Sequence, residues 1–147
     1  MRLVLDTNTA ISALLWHGTP GKLIDAAQIK TVSLFTSAPL LAELRGVLLR
    51  EKFAKQLKVK CLTPGEIADG YAVLASIVTP AVIPSAIVQD PSDDAVLATA
   101  LAASADLVVS GDKRLLNVKN YQGIPVVTAA EALTRLAQHV ASGSDST

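Results

Sequence analysis

The chain opens on a short apolar run, Leu3-Val4-Leu5, which suits a strand buried on both faces of a parallel sheet. Asp6, Thr7 and Asn8 follow at once, and Ala10 to Leu15 then has helical character. Thr19-Pro20 reads as an N-cap with proline at the first helical position, opening a short helix through Ala27. Thr31 to Thr36 alternates and is β-branched, which predicts a second strand. Ser37 caps a helix from about Pro39 to Arg50, with Leu40, Leu41, Leu44, Val47 and Leu48 on one face at helical spacing. Thr63-Pro64-Gly65-Glu66 is a capping box, so a helix should run to about Val78. Pro80 and Pro84 flank a short strand, Ala81 to Ile83.

In the second half, Asp90-Pro91-Ser92-Asp93-Asp94 crowds the start of a nearly all-apolar helical segment that must be buried. Asp106 to Ser110 is a fourth strand, and Gly111-Asp112 turns out of it. Ile124 to Val127 is the last strand, and Thr128-Ala129-Ala130-Glu131 is a second capping box that starts the final helix. No repeat or linker interrupts the chain, so residues 1–140 are expected as one domain and residues 141–147 as a flexible tail. Strands alternating with helices predict a doubly wound, three-layer α/β/α sandwich.

Composition narrows this picture. With 147 residues, half of them apolar and 18% charged, the chain can bury one substantial core and is not a disordered protein. Its formal net charge of zero does not advertise a nucleic-acid partner, so polyanion binding must come from local patches. The single Cys61 excludes an intrachain disulfide and a multi-cysteine zinc site. No leader-like opening and no apolar run of membrane-spanning length occur, which leads to the expectation of a soluble, cytoplasmic protein with no membrane partner.

Candidate chemistry lies in carboxylates that follow the buried strands. Asp6 stands at the carboxyl end of the first strand, the edge where open α/β sheets hold ligands. Glu43, Asp94 and Asp112 occupy comparable junctions, and the four are expected to converge on divalent metal. Hard cations such as Mg²⁺ or Mn²⁺ take oxygen ligands, and without them clustered carboxylates repel one another. Each acid also has a plainer reading. Asp6 suits a strand-end turn, Glu43 an exposed helix surface, and Asp112 a Ser-Gly-Asp-Lys turn. Asp94 suits a helix first turn, as do Asp90 and Asp93.

Other groups offer less. His17 and His139 sit in no triad pattern, and Gly18, Gly21 and Gly46 are not spaced as a phosphate loop. Trp16 is expected to pack at the end of the first helix. Arg45, Arg50, Lys52, Lys55, Lys58 and Lys60 face only Glu51 in their stretch. That run suits either a solvated helix face or a basic rim for a phosphate backbone.

These residues resemble a known family. Leu3-Val4-Leu5-Asp6-Thr7-Asn8, followed by Ile11-Ser12-Ala13, resembles the opening motif of PIN domains. Pro39-Leu40-Leu41-Ala42-Glu43-Leu44 resembles their second acidic motif, Asp94-Ala95-Val96-Leu97-Ala98-Thr99-Ala100-Leu101 the third, and Leu107 to Asp112 with Lys113 the fourth. The likeness extends over residues 1 to about 138, and its nearest subgroup is similar to VapC toxins of toxin–antitoxin systems.

The resemblance implies a five-stranded parallel sheet and Mg²⁺- or Mn²⁺-dependent cleavage of RNA. It makes Asp6, Glu43, Asp94 and Asp112 the catalytic and metal-binding tetrad, with Asn8 and Ser110 in polar positions beside the first and fourth acids and Asp93 assisting. It also implies a homodimer and a small antitoxin partner. RNA phosphates would be steadied by Arg45, Arg50, Lys113 or Arg114. Two other classes compete: a PIN-like RNA- or protein-binding module without catalysis, and a phosphoryl-accepting receiver-like domain. Retention of all four acids argues against the first, and the late Asp93-Asp94 pair against the second.

Overall fold

The computed structural model describes residues 1–83 and 91–144. Its centre is β1 (Arg2–Leu5), whose alternation divides the core. Leu3 and Leu5 face one layer of helices, and Val4 faces the other. On one side β1 pairs in parallel with β2 (Ser33–Thr36), and β2 with β3 (Ser76–Ile77). On the other it pairs in parallel with β4 (Leu107–Val109), and β4 with β6 (Ile124–Val127). The sheet has six strands in the order β3-β2-β1-β4-β6-β5. Five parallel strands are present, the number expected, although the third is not the expected Ala81 to Ile83; the addition is β5 (Asn120–Tyr121), antiparallel to β6 at the edge.

The described residues form eight α-helices, distributed over the two faces. One face carries α1 (Thr7–Trp16), α2 (Gly18–Gln28), α4 (Ala54–Lys60), α5 (Pro64–Leu74) and α8 (Ala129–Ser144). The other carries α6 (Pro91–Ala102) and α7 (Lys113–Leu116). Between them runs α3 (Ala38–Leu48), with Leu40 in the second layer and Leu44, Val47 and Leu48 in the first. The three-layer α/β/α reading holds.

Local departures from expectation have physical causes. The α2 helix starts at Gly18, ahead of Thr19-Pro20, with His17 at positive φ before it. Ser37 precedes α3 without capping it, because its hydroxyl bonds Thr99 instead, at 2.8 Å. The capping box at Thr63 forms as expected, but α5 ends at Leu74, and the third strand is Ser76–Ile77. Ala81 to Ile83 forms no strand; Ala81 donates its N–H to the Ala98 carbonyl of α6. Expectations for Pro84 and Asp90 lie outside the described residues, as does the end of the expected tail, while α8 continues to Ser144.

Candidate metal centre at the carboxyl edge of the sheet

Parallel strands bring their carboxyl ends to one edge, so β1 and β4 deliver Asp6 and Ser110 side by side. The ladder continues past both strands: Asp6 N–H donates to the Val109 carbonyl at 3.0 Å, and Ser110 N–H to that of Val127 at 2.9 Å. Ser110 then donates its hydroxyl proton to Asp6 Oδ2 at 2.5 Å and accepts the Asp112 N–H at 2.9 Å. Asp6 Oδ1 accepts the Thr9 N–H at 2.8 Å, capping α1. The turn-forming and the chemical readings of Asp6 are thus compatible: the buried carboxylate is fixed by two donors and still stands at the edge.

Asp112 plays the same double part at α7. Its Oδ1 accepts the Arg114 backbone N–H at 2.8 Å, and its Oδ2 lies 3.3 Å from Arg114 Nη2. The backbone N–H, reinforced by the guanidinium, holds its carboxyl below the usual carboxylate range, against the opposing effect of partial burial.

The third acidic segment resolves the Asp93–Asp94 pair. On α6, Asp93 shares a face with Val96, Leu97 and Ala100, turned to the sheet, and is only 7% exposed. Its Oδ2 lies 3.9 Å from Arg114 Nε, which sets it towards Asp112. Asp94 is half-buried, about 100° further round the helix. Asp93 is thus the more deeply buried of the pair, whereas sequence reasoning chose Asp94. Glu43 is half-buried, five residues past the start of α3, or about 7.5 Å along its axis.

The donor set is oxygen-only, which suits a hard divalent cation. Among the described residues, no three His, Cys, Asp or Glu stand close enough together to share an ion directly. The expected convergence of Asp6, Glu43, Asp94 and Asp112 is thus not seen as one close cluster, and Mg²⁺ or Mn²⁺ would have to be held by one or two carboxylates with water completing the shell. Beside the acids opens a cleft of about 360 Å³, lined by Asn8, Ser12, Ser110, Asp112 and Thr128 among others. Asn8 is exposed there, whereas Ser110 has its proton committed to Asp6.

The cations divide into two groups. Lys113 and Arg114 stand at the acidic edge, following Asp112 directly. Arg45 is turned to Asp69 at 3.1 Å, and Arg50 lies beyond the end of α3 at Leu48. The remaining lysines of that stretch are exposed on or beside α4. His17, an exposed residue between α1 and α2, pairs with Asp25 at 2.7 Å. Trp16 is half exposed, its ring centroid 5.9 Å from that of Phe53.

Sequence reasoning passed over Tyr71. It is buried on α5, its hydroxyl has no hydrogen-bond partner, and burial, seconded by the negative charge of Asp6, pushes its phenol well above the usual range. Its only signal in the sequence is an aromatic with a polar tip on an otherwise apolar helix face.

A family model described as PIN domain matches residues 2–114. Among solved structures five chains match. One belongs to the crystal structure of VapBC2 from Rickettsia felis bound to a DNA fragment from their promoter. It is 17% identical, covers 86% of this chain and 97% of that chain, and superposes with a TM-score of 0.55, a likeness of fold. No curated protein matches. Among the described residues no helix is long and apolar enough to cross a membrane.

Proposed function

The chain belongs to the PIN-domain family, and from that premise we propose that it is a metal-dependent endoribonuclease, the toxin of a toxin–antitoxin pair. The observation that carries this reading is Asp6 held by Ser110 beside Asp112, with Asp93 of α6 and Asp112 of α7 both near Arg114. A scaffold gains nothing from gathering carboxylates at a ligand edge, whereas a hydrolase of phosphodiesters needs them there.

The residues divide the work. A divalent ion would be held at this edge by one or two of the carboxylates Asp6, Asp93 and Asp112 with water completing its shell, Glu43 on α3 and Asp94 on α6 flanking them. Bound Mg²⁺ or Mn²⁺ supplies charge to offset the scissile phosphate and eases deprotonation of the attacking water. Ser110 fixes the orientation of Asp6 and passes it on to the Asp112 backbone. Asn8 faces the cleft and is placed to orient a nucleotide or a water. Lys113 and Arg114 steady the RNA backbone at the edge. Water adds to phosphorus, and the bond to the 3′-oxygen breaks. The products are a 5′-phosphate and a 3′-hydroxyl.

In the cell this reading makes the protein a cytoplasmic homodimer restrained by a small antitoxin. A second reading, a PIN-like RNA- or protein-binding module without catalysis, draws support from the absence of three closely grouped acids among the described residues.

Incubation of a labelled RNA pool with Mg²⁺, Mn²⁺ or chelator, beside Asp6→Asn, separates the two. Metal-dependent cutting lost in the variant is the expected result. Metal-insensitive RNA binding with no cutting of any substrate would replace the nuclease by the module.

A further inference from the structure

We propose that Arg114 is the chain's own counterion for the acidic edge, and that it exchanges these carboxylates for an RNA phosphate when the divalent ion binds. The inference rests on the nuclease reading and deepens it, adding an order and a coupling to metal and RNA binding.

The geometry is that of a cation placed between two acids from different helices of one layer. Arg114 Nη2 lies 3.3 Å from Asp112 Oδ2, and Arg114 Nε lies 3.9 Å from Asp93 Oδ2. Both separations exceed the 2.7–2.9 Å usual for a strong charged hydrogen bond, and the side chain is 59% exposed. Such exposure lets the side chain turn. Asp6 is held quite differently, buried and bonded to Ser110 at 2.5 Å. One acid is fixed permanently by a neutral donor, while two are balanced by a movable charge.

A divalent ion among Asp93 and Asp112 neutralises them better than one guanidinium, and it repels that guanidinium at such short range. Arg114 must then turn outward. It cannot go far, because its backbone N–H remains bonded to Asp112 Oδ1 at 2.8 Å. The guanidinium would stay within a side chain's length of the carboxylates, within reach of an RNA phosphate drawn to the same edge. Its planar fork matches phosphate oxygens in pairs.

Metal binding should thus raise affinity for RNA, and RNA should raise affinity for metal by the same factor. A purely structural Arg114 would show another pattern, since its loss would weaken both.

The test uses the full chain as wild type, Arg114→Ala and Arg114→Lys. Mn²⁺ binding is read by calorimetry without RNA, and binding of a cleavage-resistant phosphorothioate RNA by anisotropy with and without Mn²⁺. Arg114→Ala is expected to bind Mn²⁺ more tightly, by roughly fivefold or more, and RNA more weakly in its presence. Arg114→Lys should fall between. Equal or weaker Mn²⁺ binding in Arg114→Ala, with metal-dependent cleavage intact in the wild type, overturns the exchange and leaves the nuclease standing. Mn²⁺ binding by neither protein overturns both.

Discussion

Ser110 and Asp6, 104 residues apart in sequence, are joined by a hydrogen bond of 2.5 Å, Ser110 donating, because β1 and β4 pair with Leu5 opposite Val109. Removing that donor leaves a buried carboxylate oxygen unsatisfied. Ser110→Ala should cost about 1–3 kcal/mol in urea unfolding. It should also weaken Mn²⁺ binding by roughly 10- to 100-fold, the usual effect of losing a partner that orients a ligand. Unchanged Mn²⁺ affinity in calorimetry would show that Asp6 needs no such support.

Asp93 and Asp94 give a paired prediction. Asp93→Asn should reduce RNA cleavage by roughly 100-fold or more, as loss of a group that stabilises developing charge does. Asp94→Asn should retain most of the activity. Single-turnover cleavage of one substrate by both variants decides the matter, and the reverse ranking would place Asp94 at the ion.

Tyr71 makes stability depend on alkaline pH. Its folded phenol titrates above the ordinary value, so between the two values the folded state holds a proton that the unfolded state has lost. The contribution is complete below about pH 10 and declines as pH rises above it, by about 1.4 kcal/mol per unit. Urea midpoints from pH 8 to 11 should fall in the wild type and fall less in Tyr71→Phe. Because the hydroxyl has no partner, the variant should be at least as stable at pH 8.

Ser37 and Thr99 tie α3 to α6 through fully buried hydroxyls 2.8 Å apart. Thr99 donates onward to the Ala95 carbonyl at 2.8 Å, so Ser37 is the donor between the two. Thr99→Val should cost about 1–3 kcal/mol. Adding Ser37→Ala should recover part of that loss, because the stranded donor is then gone. Additive losses in the double variant would mean that the two hydroxyls do not act as a pair.

The strands buried on both faces were legible, since Leu3 to Leu5, Leu107 to Val109 and Ile124 to Val127 announce themselves as apolar runs. Ser76–Ile77 and Asn120–Tyr121 were not, because two-residue edge strands bury little and carry no period. At the site, Asp6 and Asp112 followed from the strands that precede them. The choice between Asp93 and Asp94 did not, for α6 is apolar almost all the way round, and its pattern cannot say which side meets the sheet. Packing against Val4, Val108 and their neighbours settles its rotation, and Asp93 turns inward with it.

The strand order also sets a timetable for synthesis. The β1 strand is made well before β4, one of its two neighbours, which follows about a hundred residues later. Until then a growing chain carries Asp6 with no Ser110 to aim it and no Asp112 beside it. The acidic edge is therefore completed by a long-range pairing, and a chain under synthesis cannot hold it in place while only its first half exists.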